Sequence, residues 1–181
     1  MDKVITIQQF LSKEECGTIL LKCKSELKLN TAVVVDSKII ESKRKSNVAF
    51  IEDLGFLNSK LKDTLIDKIS VKGFTASKLN PFQFTEYTTG GFYEWHTDSA
   101  KNIHQNRFYS VVIQINEGYL GGELEVREGD IETILNTGIG NLYLFPSAMW
   151  HRVKPITNGI RYSLVNWVEL EKIIDYKKTL I

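Results

Sequence analysis

A chain of 181 residues, 43% hydrophobic and 25% charged, can bury one sizeable core and has the composition of an ordinary globule. Its 23 basic and 22 acidic side chains leave a net charge of +1, which gives no general pull toward nucleic acid or an anionic membrane. No run approaches the ~18 apolar residues of a membrane span. The start Met1-Asp2-Lys3-Val4-Ile5 lacks the charged-then-apolar layout of a signal peptide, so a cytoplasmic location is expected.

In chain order, Leu11-Ser12-Lys13-Glu14-Glu15-Cys16 reads as a helix start. Ser12 and Glu15 form a capping box, and Leu11 with Cys16 a hydrophobic staple. Cys16, Ile19, Leu20, Cys23 and Leu27 then recur at helical spacing. Cys16 and Cys23 share a face but lie about 10 Å apart along the axis, too far for a disulfide within one helix, and read as reduced core residues. A short strand is expected over 31–35. The stretch 37–46 carries Lys38, Lys43, Arg44 and Lys45 and reads as a solvated loop. A second helix is expected from about Asn58 to Ile69, burying Leu61, Leu65, Ile66 and Ile69.

From Leu79 onward the pattern turns to β. Strands are expected at 82–87, 109–115, 123–127, 131–135, 141–145, 150–154 and 161–168, separated by turn signals such as Gly90-Gly91, Gly121-Gly122 and Asn158-Gly159. Short strands at this spacing indicate a sandwich or jelly roll. The expectation is one α+β domain over 1–181, with a helical part at about 1–78 and a β core at about 79–170.

The chain has three histidines. His96-Thr97-Asp98 follows a strand-like run, and in extended backbone alternate side chains leave on one side. His151 opens another strand-like run, with Arg161 ten residues on, beyond a turn that doubles the chain back. Each residue alone is unremarkable: a loop histidine bonded to its aspartate, a strand histidine, a hairpin arginine. Together, two histidines and a carboxylate are the ligand set that holds non-haem Fe(II) on one face and leaves other positions open. The HExxH helix of many zinc enzymes is absent. A guanidinium beside such a metal suits bidentate capture of a carboxylate.

The order His96-x-Asp98, His151, Arg161 resembles the Fe(II)/2-oxoglutarate-dependent oxygenases, in particular their prolyl-4-hydroxylase-like branch. The matching segments are Tyr87-x-x-Gly90-Gly91-x-Tyr93-x-x-His96-x-Asp98, Ser110 to Asn116, Gly121-Gly122-Glu123-Leu124, and Phe145-Pro146-Ser147 leading to His151-Arg152-Val153. Gly159-x-Arg161-Tyr162-Ser163-Leu164 completes them. The resemblance implies a double-stranded β-helix (jelly roll, cupin-like) core with the N-terminal helices packed on one sheet. It implies His96, Asp98 and His151 as Fe(II) ligands and Arg161 as the partner of the distal carboxylate of 2-oxoglutarate. Many collagen-type relatives have Lys at the Arg161 position. Tyr87 resembles a tyrosine lining the co-substrate pocket, and Gln114 stands where some relatives place a tyrosine that assists the carboxylate. Ser163 and Trp167 share Arg161's strand face and fall in the same pocket by period two. For Tyr87, Gln114 and Trp167 simple packing is the competing reading. Trp95 and Trp150, next to two ligands, read as shielding walls or core, and His104 as a solvated loop residue.

The activity implied is hydroxylation with consumption of O2 and 2-oxoglutarate and release of succinate and CO2, with ascorbate as an accessory reductant. The substrate is a peptide, tilted toward a prolyl side chain, or a small molecule. Without a basic groove interleaved with aromatics, a nucleobase is disfavoured. Two other classes compete: a non-oxygenase cupin-like metalloprotein, which would not need Arg161, and a silent binding module, which would not bind Fe(II).

Overall fold

Ser12 opens the first helix as its sequence predicts. Its Oγ accepts the Glu15 N–H at 3.1 Å, and Glu15 Oε2 accepts the Ser12 N–H at 2.8 Å. In the computed structural model, which describes residues 4–32, 41–69, 74–99, 107–135 and 138–172, helix α1 spans Lys13–Glu26 and buries Cys16, Ile19 and Cys23. Helix α2 spans Phe56–Lys68, two residues earlier than expected, and buries Leu57, Leu61 and Leu65. Ile66 departs from expectation: it is 48% exposed, and Leu57 takes its place. Positions 57, 61, 65 and 69 step by four and make one narrow stripe, while residue 66 lies a hundred degrees round the helix.

The described strands are β1 (Ile5–Ile7), β2 (Asn30–Thr31), β3 (Arg44–Lys45), β4 (Asn47–Ile51), β5 (Phe74–Leu79), β6 (Phe82–Tyr87), β7 (Phe92–His96) and β8 (Tyr109–Gln114). They continue with β9 (Leu120–Gly121), β10 (Leu124–Glu128), β11 (Ile131–Leu135), β12 (Leu142–Pro146), β13 (Trp150–Val153), β14 (Ile156–Asn158) and β15 (Arg161–Lys172). The larger sheet runs β1-β12-β8-β15-β6-β4-β2, with β5 also paired to β15, and the smaller runs β11-β10-β13-β7-β3. Taking β6, β7, β8, β10, β12, β13 and β15 in order, successive strands alternate between the sheets. That alternation is a double-stranded β-helix, the jelly roll expected.

The central strands of the larger sheet, β6, β8, β12 and β15, separate two cores. Phe82, Phe84, Val111, Ile113, Leu142, Leu144, Leu164 and Val168 face the helices and meet Cys16, Ile19, Leu57, Leu61 and Leu65. The alternate residues face the smaller sheet, where Tyr87, Val112, Tyr143 and Phe145 meet Leu124, Val126, Val153 and Ile156. The N-terminal part is less helical than its sequence implies. It contributes β1 to one flank of the larger sheet, β2 and β4 to the other, and β3 to the smaller sheet. β15 runs beyond residue 168 because β5 pairs with its last residues, from Val168↔Leu79 to Lys172↔Phe74. Of the strand expected at 31–35, only Thr31 belongs to β2, and 33–35 lie outside the described residues.

Candidate metal centre and carboxylate pocket

β7 and β13 are antiparallel neighbours whose register shifts between His151 and Val153, and His96 stands directly opposite His151. The two rings come within 4.1 Å, centroid to centroid, at 55°. β7 ends at His96, so strand alternation does not itself place Asp98. Backbone ties do: the Asp98 and Ser99 N–H groups both donate to Ser147 O, at 2.8 and 3.1 Å, just before β13. Asp98 Oδ1 then lies 3.7 Å from His96 Nε2 and Oδ2 lies 3.4 Å from His151 Nε2. The three residues' ligand atoms all fall within 4.8 Å of one another, close enough to share one metal ion.

The histidine tautomers follow from their backbone partners. His96 Nδ1 is 2.8 Å from Glu94 O and His151 Nδ1 is 2.9 Å from Met149 O. A carbonyl only accepts, so each Nδ1 carries a hydrogen, and it is Nε2, on the Asp98 side, that bears the lone pair whenever the ring is neutral. The larger sheet steadies the carboxylate: Ser110 Oγ donates to Asp98 Oδ2 at 2.6 Å and lies 2.9 Å from Ser147 Oγ. Burial, reinforced by the charge of His151 and only partly offset by Asp98, holds His96 down to about 3. Burial pulls His151 the same way, but the Asp98 charge and hydrogen bond win and raise it. Burial would raise Asp98, yet His151, His96 and Ser110 hold it well below the usual carboxylate range. The metal-free site is thus a His151–Asp98 pair beside a neutral His96.

Tyr93 stacks on His96 with ring centroids 3.5 Å apart, and the Arg44 guanidinium lies 4.5 Å from the Tyr93 ring centre. Arg44 therefore corrects the solvated-loop expectation: it is 7% exposed, pairs with Tyr93 across β3 and β7, and its Nε donates to Ser46 Oγ at 2.8 Å. No local signal in a basic stretch singles it out. Trp95 and Trp150 are neither walls of the site nor core. Residues adjacent to ligands in a strand point to the opposite face, and there Arg127 lies 4.9 and 5.5 Å from the two indoles while Arg152 lies 4.6 Å from Trp95. Trp150 is 46% exposed.

Arg161, at 1% exposure, lies opposite Tyr87, whose ring centre is 5.5 Å from the guanidinium carbon. Its Nη1 donates to Ser163 Oγ at 3.3 Å, its Nε has no partner, and no carboxylate pairs with it among the described residues. A buried cation in that condition is costly unless an anion joins it. Ser163 faces Gln114 and Trp167 faces Ser110, so all of the expected pocket residues lie on the inter-sheet side of the larger sheet. Gln114 differs in what it offers: its Nε2 donates to Asn116 O at 2.9 Å and Tyr162 O at 3.1 Å, so its hydrogens are committed to backbone carbonyls. Trp167 has a buried indole N–H without a partner, and the Arg107 guanidinium lies 3.7 Å from its ring centre. The link to the metal ligands is apolar. Tyr87 packs in the same cluster as Phe145, whose ring centre is 4.9 Å from that of His151. His104 and the rest of 100–106 lie outside the described residues.

Gly121 and Gly122 make this packing possible. Both have positive φ, +73° and +70°. A Cβ on Gly121 would stand 2.3 Å from Pro155 O, and one on Gly122 2.2 Å from Ile156 Cδ1 and 3.1 Å from Arg161 Cδ.

Residues 82–169, the jelly-roll core, match the family model of the 2OG-Fe(II) oxygenase superfamily. The chain is 34% identical over 89 residues to a PKHD-type hydroxylase of Synechococcus sp. (strain JA-2-3B'a(2-13)), covering 46% of this chain and 40% of that protein. It is 30% identical over 137 residues to a PKHD-type hydroxylase of Teredinibacter turnerae, covering 69% of this chain and 60% of that protein. The match thus spans less than two thirds of the length of either relative. Among solved structures, a Trichoplax adhaerens prolyl hydroxylase in complex with a hypoxia inducible factor peptide fragment superposes with a TM-score of 0.80 at 18% identity, covering 93% of this chain and 84% of that one. A Pseudomonas putida prolyl-4-hydroxylase gives 0.75 at 22% identity, covering 93% of each. At such identities these two structures show a shared fold.

Proposed function

We propose that this protein is an Fe(II)- and 2-oxoglutarate-dependent dioxygenase that hydroxylates a peptidyl side chain, with proline as the leading candidate, and releases succinate and CO2. The observation that carries the reading is the pairing of a three-ligand cluster with a buried arginine that lacks a carboxylate, facing one inter-sheet space. A simple metal-binding cupin would need the first and not the second.

The donor set fits ferrous iron: two neutral imidazole nitrogens and one ionised carboxylate. His96, Asp98 and His151 would hold it, and when bound it supplies O2 activation coupled to decarboxylation of the 2-oxo acid. The chain's own part is geometric and electrostatic. Glu94 O and Met149 O orient the rings, Ser110 holds the carboxylate, and Arg161 fixes the far end of the co-substrate. Phe145, Val153 and Tyr87 keep the space between poor in water. The peptide substrate draws support from the Trichoplax adhaerens neighbour, which holds a peptide on the same fold. We place the protein in the cytoplasm, supported by two free, buried cysteines. Among the described residues no helix is long and apolar enough to cross a membrane. We treat 1–181 as one oxygenase domain, because N-terminal strands are hydrogen-bonded into both sheets.

Anaerobic titration of the protein with Fe(II) and then 2-oxoglutarate tests the reading through the visible metal-to-ligand charge-transfer band. The band is expected in wild type and is expected to weaken in Asp98→Ala and Arg161→Ala, after which O2 and a peptide panel should yield succinate. Iron binding without a band would transfer the site to the cupin-like class. No iron binding would leave only a scaffold.

A further inference from the structure

Two buried polar atoms face each other's surroundings at the Arg161 end of the inter-sheet space without a hydrogen-bond partner: Arg161 Nε and the Tyr119 hydroxyl. The Tyr119 phenol lies near enough to the Arg161 guanidinium and the Gln114 amide for both to favour its ionised form, yet its oxygen completes a well-formed hydrogen bond with neither. Gly122 sits between them. A Cβ at that position would stand 2.2 Å from Ile156 Cδ1, 3.1 Å from Arg161 Cδ and 3.5 Å from Tyr119 Cε2, so a glycine with its positive φ lets the isoleucine, the arginine stem and the phenol crowd together. Gly159 packs from the other side, where a Cβ would meet Tyr119 Cα and Cβ, each at 3.2 Å. Gly159 thus packs on the base of the Tyr119 side chain and Gly122 near the edge of its ring. Burial pushes its ionisation up, partly offset by the Arg161 charge, so at neutral pH Tyr119 carries a hydrogen to donate.

An unpaired guanidinium N–H and an unpaired phenol in one dry corner are two donors awaiting a single acceptor. Gln114 cannot supply a third, because its N–H groups already serve Asn116 O and Tyr162 O. Glu123 is near enough for its charge to raise Tyr119, but among the described residues no carboxylate hydrogen-bonds to the phenol or to Arg161 Nε. We infer that Tyr119 donates a hydrogen bond, together with Arg161, to the terminal carboxylate of a bound dicarboxylic 2-oxo acid, and so selects that co-substrate over monocarboxylic 2-oxo acids. The inference rests on the oxygenase reading above. Where relatives of the family use a tyrosine at the Gln114 position, this chain brings its phenol from the segment just before β9.

The test uses the whole chain, loaded anaerobically with Fe(II) and titrated with 2-oxoglutarate or with 2-oxopentanoate, which keeps the chelating end and lacks the distal carboxylate. Tyr119→Phe removes the hydroxyl and keeps the ring. Its 2-oxoglutarate affinity, read from the charge-transfer band, is expected to fall about tenfold or more, the range for a hydrogen bond to a charged group. Its 2-oxopentanoate affinity is expected to stay within about twofold, because that ligand makes no use of the lost donor. The thermal midpoint of the ligand-free variant should equal or exceed wild type, because the deleted hydroxyl had no partner. Equal 2-oxoglutarate affinity in variant and wild type would overturn the inference and leave the oxygenase reading standing. Parallel loss for both ligands with a lowered midpoint would also overturn it, by making Tyr119 a packing residue. Absence of any band in wild type would remove both.

Discussion

Asp98 is the ligand that reaches the site from outside regular structure, and its position depends on neighbours from two other segments. Ser147 O accepts its backbone N–H, and Ser110 Oγ donates to one carboxylate oxygen. Ser110→Ala should leave the sheet intact, since a small residue still fits opposite Trp167, but should free the carboxylate to turn. Partners of metal ligands typically contribute 10- to 100-fold to affinity, so a Co(II) or anaerobic Fe(II) titration of Ser110→Ala should show a loss of about that size. The Arg44–Tyr93–His96 stack braces the other side of the cluster, with an aromatic face against one imidazole and a cation behind it.

At the scale of elements, helix α2 separates two isoleucine and leucine positions that a pattern alone treats alike. Leu61 is fully buried against the larger sheet, whereas Ile66 is about half exposed. Leu61→Ala should cost about 2–5 kcal/mol, as buried leucine truncations do. Ile66→Ala should stay within about 0.5 kcal/mol of wild type, since it empties no cavity and alanine is the better helix former. Urea denaturation of the two variants checks this, and similar losses would mean that Ile66 is covered. The β7–β13 pair shows the same economy of placement: the pairing of His96 with His151 on one face leaves Trp95 and Trp150 on the other, where Arg127 lies against both and Arg152 against Trp95.

Over the whole molecule, the ligand cluster links metal binding to stability and pH. Asp98 is held ionised below the ordinary carboxylate range, and His96 is held neutral down to about 3, so neither takes up a proton near neutrality. His151 does, because its folded value is raised above 6.5. A raised folded value stabilises the metal-free protein fully below the unfolded pKa, and that contribution is lost as pH rises through the raised value. Metal binding needs the proton gone, so affinity should rise with pH with the slope of a single proton and level off above the raised value. At a free metal concentration of 100 times Kd the ion should add about 2.7 kcal/mol, and the increment should shrink as pH falls. Thermal melts with Co(II) and with chelator at several pH values measure both effects. A pH-independent increment would mean that His151 is not a ligand.

The sequence by itself carried the parts whose physics is local. Helix α1 and its capping box depend on residues three apart, and the alternating runs from Phe82 to Arg161 depend on the two-residue period of a strand. The ligand triad was legible for a different reason: few residue types can hold a metal, and only three histidines exist to choose from. Tertiary structure alone decided what depends on partners distant in the chain. β1 found β12 and β5 lengthened β15, pairings between short segments that propensity does not reveal. Arg44 left an apparently solvated basic run to lie buried over Tyr93, and Tyr119 met Arg161 across a glycine. Those residues are set by what they touch after folding, because a buried cation or phenol takes its role from the surface that closes over it.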